Sequence, residues 1–366
     1  MELRRVWLTD FRSYASAEVE LAPGLTAVVG RNGQGKTNLL EAMAYLASLS
    51  SFRGAPTEAL IRTGAAQAIV RAEGVRDGRD LLIEAEINRV GRNRVQVNRQ
   101  RLQRSRDLLG ALRVTVFSPD DLVLVKGGPG ERRTYVDDVI VAASPKQDAL
   151  RGELDRVLRQ RNALLKQAKG RLTPDVATTL DVWDAKLAQA GDAWVAARRA
   201  LVDRLRPVLA AAYDRVAQEQ AEVTVGYDAP WHAGGLGEAL AAARGDDVRR
   251  GVSTVGPHRD EIDLGIAGLP ARTHASQGEQ RSLAWALRLA AHEVVTEAAE
   301  AAPVLLLDDV FSELDPRRCA ALLEHLPAGQ TVLTTAGGLP PGASPELVLE
   351  VDAGTVRTVD RVPPGG

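Results

Sequence analysis

Gly30-Arg31-Asn32-Gly33-Gln34-Gly35-Lys36-Thr37 fits the pattern GxxxxGK[ST], and its reading decides the fold. Glycines at this spacing let successive backbone N–H groups converge on phosphate oxygens at a helix N-terminus. Lys36 would reach the β- and γ-phosphates of a nucleoside triphosphate, and the Thr37 hydroxyl would sit on Mg²⁺. The flanks are as the motif requires. Leu25-Thr26-Ala27-Val28-Val29 predicts a buried strand before the loop, and Asn38 to Leu46 a helix after it. Gly30, Arg31, Asn32, Gly33, Gln34, Gly35, Lys36, Thr37 and Asn38 together form the expected nucleotide-contact set.

A loop of this kind needs a partner acid at the end of a second buried strand. Val304-Leu305-Leu306-Leu307-Asp308-Asp309 supplies an apolar run ending in two carboxylates. Asp308 fits the Mg²⁺ shell, partly through water. Asp309 fits the place from which a general base orients or deprotonates attacking water. Taken alone, an apolar run followed by acids is also what a buried strand ending in a charged turn looks like.

Working outward, Ser276-Gln277-Gly278-Glu279-Gln280 stands just before an Ala-rich stretch that predicts a long helix from about residue 278 to 300. This is the position at which ABC-class ATPases carry a Ser-x-Gly signature. There a serine hydroxyl, a glycine N–H and the helix N-terminus face the γ-phosphate held by the opposite subunit. Ser276 and Glu279 also have the spacing of a capping box, and the two readings are compatible. Ser312-Glu313-Leu314-Asp315 resembles the D-loop of that class, and its switch position falls at Thr334-Thr335.

The remaining texture is that of a split lobe. The first 120 residues alternate short apolar runs with turn residues, as strands do around one early helix. Between Glu131 and Glu222 glycine nearly vanishes and apolar residues recur at helical spacing. Pro145, Pro174 and Pro207 punctuate that block where helices would start or bend. Glycines return from Gly226 onward, and a terminal hairpin is expected to turn at Asp352-Ala353-Gly354. The expected class is α/β: an ABC-type P-loop ATPase lobe of mixed sheets plus helices, residues 1–125 and 225–366, with an inserted α-helical arm over 126–224.

Composition limits the alternatives. Among 366 residues there is one cysteine, Cys319, so neither an internal disulfide nor a thiolate metal cluster is available. The net charge of -2 says nothing about a polyanionic partner, so local charge must. No stretch approaches the roughly 18 apolar residues of a membrane helix, and Met1 to Asp10 holds four charges, which leads to a cytoplasmic expectation. Between Asn88 and Arg106 there are seven arginines and no acid. In an expected strand over Arg92–Val97, Arg92 and Arg94 share a face. Arg89, Arg92, Arg94, Arg99 and Arg101 are therefore the candidate DNA contacts; a solvated face in an Arg-rich chain is the alternative. With 4% aromatics, contact with a duplex backbone is favoured over base stacking.

Longer stretches match a family. Asp10-Phe11-Arg12-Ser13-Tyr14, Gly35 through Glu41, Phe117-Ser118-Pro119-Asp120-Asp121-Leu122, Arg132-Arg133 with Asp137, Gln160-Arg161-Asn162 and Gly256-Pro257-His258-Arg259-Asp260 resemble the RecF family of bacterial recombination-repair ATPases, related to SMC-type heads. Together with the Ser276 signature, the Asp308-Asp309 pair and the switch at Thr334-Thr335, the resemblance runs from residue 10 to residue 335. The resemblance implies ATP and Mg²⁺ as cofactors, an ATP-dependent head-to-head homodimer on double-stranded, gapped or junction DNA, and RecR with RecO as partners in recombinase loading. It further implies that Arg12 contacts the nucleotide and that Asp120 and Asp121 sense it. Lys36, Asp308, Asp309 and Ser276 would carry catalysis, with Ser276 and Gly278 contacting nucleotide across the dimer. The chain departs from the broader class in having Asp309 where many relatives have Glu, and no histidine at the switch. Slow hydrolysis is the expected consequence. A transporter ATP-binding subunit and a scaffold in which ATP is purely structural are the rival readings.

Overall fold

The computed structural model describes residues 1–217 and 220–361; the Pro/Gly tail lies outside them. The chain runs β1 (Glu2–Phe11), β2 (Tyr14–Glu20), β3 (Leu25–Val29), α1 (Lys36–Ser48), β4 (Gln67–Arg76), β5 (Arg79–Asn88), β6 (Arg94–Val97), β7 (Gln100–Arg101) and β8 (Val114–Phe117). It continues with α2 (Val123–Lys126), α3 (Pro129–Ala143), α4 (Gln147–Ala168), α5 (Pro174–Val216), β9 (Val223–Asp228), α6 (Gly235–Arg250), β10 (Glu261–Ile266), β11 (Leu269–Pro270) and α7 (Ala271–His274). Last come α8 (Gln277–Ala299), β12 (Val304–Leu307), α9 (Pro316–Glu324), β13 (Thr331–Thr335), β14 (Leu347–Asp352) and β15 (Thr355–Arg361). Two compact units result. One comprises Met1–Asp121, Ala212–Gln220 and Ala284–Gly366, the other Leu122–Ala211 and Ala221–Leu283.

The first unit has two six-stranded sheets. The central one has the order β15-β14-β3-β13-β12-β8, with β14, β3, β13, β12 and β8 parallel and β15 antiparallel at the edge. A parallel strand covered on both faces reads as a continuous apolar run. Every residue of β12 and of β13 is buried, as that rule requires. The other sheet, β2-β1-β4-β5-β6-β7, is antiparallel throughout. Its strands alternate instead, with Ala68, Val70 and Ala72 of β4 buried beside Ile83, Ala85 and Ile87 of β5. Helix α1 is buried continuously from Leu39 to Leu46 and shares one core with Val6, Leu8, Val70 and Ile83 on one side and Val28, Val332 and Leu349 on the other. A helix apolar all round belongs between two layers, which is where this one lies.

Gln330, one residue before β13, ties remote segments of this unit together. Its Oε1 accepts from Leu3 N at 2.7 Å, and its Nε2 donates to Leu3 O at 2.5 Å and Ala22 O at 2.7 Å. The buried amide thereby satisfies backbone groups of two segments more than 300 residues away in sequence.

The second unit packs α3–α7 with the small sheet β11-β10-β9. Its interior is polar as well as apolar. Arg161 is fully buried and donates to Asp184 at 2.6 Å, Asp247 at 2.7 Å and Ser253 Oγ at 2.8 Å. Arg198 binds Asp137 through two nitrogens and donates to Pro257 O, and Trp194 Nε1 donates to the same Asp137. Trp194 thus serves the core.

Sequence texture placed residues 225–283 with the nucleotide-loop lobe, but in the structure Ala221–Leu283 groups with the helical segment. Glycine-rich and strand-like texture shows that strands are present, not which core they join. Side-chain pairs such as Arg161–Asp247 and Arg132–Glu261 join the two stretches. Pro207 lies inside α5.

Substituting Gln330→Leu should destabilise the protein by about 2–4 kcal/mol, because three buried backbone groups lose their partners. A chemical-denaturation midpoint unchanged from that of the unsubstituted protein would show that Gln330 does not hold the unit together.

Candidate nucleotide-binding site

Strand β3 ends at Val29 between β13 and β14, and the chain then turns through three glycines with positive φ: Gly30 at 150°, Gly33 at 80° and Gly35 at 118°. L-residues adopt such angles at a cost, so the glycines are what lets the amides turn inward. Helix α1 starts at Lys36 behind Gly35, which as N-cap has no side chain to offer the first-turn N–H groups. Those donors, with the positive end of the helix dipole, suit an anion. Lys36 is buried, and its Nζ donates to Gly30 O at 2.7 Å and Arg31 O at 3.0 Å. Burial lowers its pKa, while Asp309 and Asp308 oppose that shift.

The acids lie where β12 ends. Thr37 Oγ1 donates to Asp308 Oδ1 at 2.8 Å, joining residues 271 positions apart. Thr334, on β13, donates to the same Oδ1 at 3.0 Å and accepts from Asp309 N at 2.9 Å. Asp308 is buried, which raises its pKa; the Thr37 and Thr334 hydrogen bonds work against that. Asp309 has φ 50°, ψ 29°. Among the described residues its buried Oδ1 finds no hydrogen-bond partner. No cluster of three or more His, Cys, Asp or Glu forms among the described residues. A Mg²⁺ here would therefore rest on Thr37, Asp308, water and phosphate oxygens, an arrangement this ion favours. The residues present fit a magnesium–nucleotide ligand: uncapped amides for phosphate, a lysine with replaceable carbonyl partners, and a buried carboxylate lacking compensation.

Thr334 is the member whose role the sequence left undefined. The sequence marks it only as a switch position without histidine, yet it organises both aspartates. Side-by-side parallel pairing of β12 with β13 brings it there, and no local motif announces that pairing.

Arg12, at φ 51°, forms a bidentate pair with Glu41 at 2.7 Å on both nitrogens and donates to Ala59 O. Glu41 is completely buried. The structure thus engages Arg12 with the side of α1. Arg31 and Asn32 are exposed, and Asn38 donates to Ser13 Oγ at 2.9 Å. Asp121 is committed to Arg288 of α8, at 2.6 and 3.0 Å, and to Ser118 N. Ser276 makes the reciprocal capping box with Glu279, N to Oε2 at 2.7 Å and N to Oγ at 3.3 Å, on an exposed helix start beside Gly278. His258 contacts Ser253 O and sits in a buried setting that lowers its pKa. With Asp260, bound by Tyr227 and Trp231, it orders the second unit's turn.

The arginine run borders a cleft of about 760 Å³ lined by Arg89, Arg92, Arg94, Arg101, Asn93 and Glu58. The strand there begins at Arg94 rather than Arg92. Arg94 faces Glu86 across the β5–β6 ladder, 3.6 Å away, and Gln96 faces Glu84. The face is therefore less basic than the run by itself: the neighbouring strand contributes the acids the run lacks. Arg99 occupies the β6–β7 turn with φ 67°.

The family model for the RecF/RecN/SMC N-terminal domain matches residues 2–334. A DNA replication and repair protein RecF from Streptomyces avermitilis is 44% identical, covering 98% of this chain and 100% of that protein. One from Nocardioides sp. is 45% identical, covering 92% and 94%. A solved structure of the recombination mediator protein RecF with ATP, in the RecFOR pathway, superposes with a TM-score of 0.90 at 27% identity, covering 98% of each chain. The head domain of an SMC protein bound to the C-terminal winged-helix domain of ScpA shares the fold at a TM-score of 0.58 and 17% identity.

A buried carboxylate with a raised pKa contributes stability below its unfolded value, near 4, and loses it as pH rises through the folded value. Asp308→Asn should therefore raise the neutral-pH stability of the nucleotide-free protein by about 1 kcal/mol and flatten its pH dependence above pH 4. It should also remove the stabilisation that Mg²⁺ with ATP would confer. Thermal midpoints measured from pH 4 to 7.5, with and without the ligand, check both.

Proposed function

The chain belongs to the RecF family, and from that premise we propose that it is an ATP-gated DNA clamp of recombinational repair that hydrolyses ATP slowly. Its fold is α/β, that of an ABC-type P-loop ATPase, and among the described residues no helix is long and apolar enough to cross a membrane. The observation that carries the reading is the bond from Thr37 to Asp308, which brings the glycine loop and the acid-bearing strand to one point.

Bound Mg²⁺ would neutralise charge on the triphosphate. The loop amides from Gly30 to Lys36 would hold phosphate oxygens, and Lys36 would exchange the Gly30 and Arg31 carbonyls for them. Asp309, with one carboxylate oxygen unpaired, would accept a proton from the attacking water. Two features keep that step slow. Asp is one methylene shorter than the Glu of many relatives, and Thr334 spends its hydroxyl on the two aspartates where a switch histidine would otherwise stand.

Two protomers would sandwich two nucleotides between the Gly30–Thr37 loop of one and Ser276 of the other. The capping box leaves that helix start exposed, which suits recognition from outside the chain. ATP would favour closure because only the closed state touches it from both sides. Closure would hold double-stranded DNA at gaps or junctions, with Arg89, Arg92, Arg94, Arg99 and Arg101 contacting phosphates. RecR with RecO are the proposed protein partners, in keeping with the RecFOR setting of the solved relative. DNA would stimulate the weak ATPase, and recombinase loading would follow.

Ser276→Arg should preserve nucleotide binding by the monomer and abolish ATP-dependent dimerisation in light scattering after size exclusion; a variant that still dimerises with ATP would sink the sandwich. If about four of the arginines neutralise phosphates, log affinity for duplex should fall against log salt with a slope of roughly -3 to -4 from this patch. Reversing the charges of Arg92, Arg94 and Arg101 should shallow that slope by about 2–3 units. An unchanged slope removes the patch from the DNA path.

A further inference from the structure

The terminal hairpin β14–β15 has no assigned role, yet its tip touches the glycine loop. Strand β14 lies parallel to β3, pairing as far as Glu350 with Val29, so the hairpin leaves the sheet directly beside Gly30. Three contacts follow. Ala353 N donates to Gln34 Oε1 at 2.7 Å. Gly354 N donates to Gln34 O at 3.1 Å. Gly30 packs so closely on Val351 that a Cβ would come within 2.4 Å of the Val351 carbonyl oxygen. The tip is shaped for this contact: Ala353 holds φ 45°, and at Gly354, φ 76°, a Cβ would lie 2.6 Å from Ser13 O.

The other side of the loop is held from the N-terminal strands. Tyr14 OH donates to Gly35 O at 2.9 Å, and Ser13 accepts from Asn38 at the first turn of α1. Residues 13–14, 34–38 and 353–354, remote in sequence, meet at the loop's crown. A loop whose amides face a ligand cannot use them on itself, so without outside support it would relax toward internal pairing.

We infer that the C-terminal hairpin is a brace for the nucleotide loop, and that Gln34 is a positioning residue that grips the brace rather than a phosphate ligand. The inference rests on the reading that the loop holds nucleotide phosphates. Because the brace shapes the whole cradle and not the γ-phosphate subsite, ATP and ADP should depend on it alike.

The test uses the full chain with Gln34→Leu, which keeps bulk and removes the acceptor, and Gly354→Ala, which displaces the tip without altering the loop's sequence. Two measurements are made: backbone hydrogen exchange of residues 30–36 and 350–356 without nucleotide, and affinities for fluorescent ATP and ADP analogues with Mg²⁺. Both variants should exchange faster in both segments, and both should bind ATP and ADP roughly five- to tenfold more weakly, the equivalent of about one hydrogen bond. Affinity unchanged within twofold in both variants overturns the brace. Weaker binding by Gln34→Leu with unchanged exchange makes Gln34 a direct ligand and also overturns it. Failure of the unsubstituted protein to bind either analogue overturns the nucleotide reading beneath it, a result separate from the other two.

Discussion

A backbone loop that turns several N–H groups toward one point has withdrawn those donors from its own structure and must be held open by its surroundings. Much of the first unit can be understood from that constraint. Strand β3 enters the loop from the middle of a parallel sheet, and α1, buried between two sheets, leaves it. Neither end can shift without disturbing a core. Positive φ at Gly30, Gly33 and Gly35 would be unstable in a free peptide turn of ordinary residues, and here it is fixed by strand and helix.

The same architecture places the acid. Because β12 and β13 are parallel neighbours, their C-terminal ends lie side by side next to the loop, which is the general location of ligands in open parallel sheets. Asp308 is then buried against two hydroxyls, Thr37 and Thr334, with too little compensation for its charge. A carboxylate in that condition is poised for a cation, so the site holds in reserve an electrostatic cost that ligand would relieve.

Several motifs that carry the family resemblance make internal contacts in this chain. Asp137, Arg161 and Pro257 to Asp260 belong to the buried polar network of the second unit, and Asp121 ties the end of β8 to Arg288. Their chemistry is that of buried charge, which is paired with opposite charge and hydrogen-bonded. Arg12 shows the same pattern beside the site, spending its guanidinium on the buried Glu41. A charged residue in a distinctive motif is therefore not by that alone a ligand contact, and its partners show whether it serves as an internal anchor.

The sequence by itself determined the strand–loop–helix at residues 25–48, the Asp308-Asp309 strand end, the capping box at Ser276 and the terminal hairpin. Each is local: glycine placement, an unbroken apolar run or a spacing of three residues suffices to specify it. Only the tertiary structure decided which core the stretch 221–283 joins, that Glu84 and Glu86 temper the arginine face, that Thr334 organises both aspartates, and that the hairpin tip reaches Gln34. These depend on strand order and register, and pairings between residues tens to hundreds of positions apart leave no periodicity in a single chain to read.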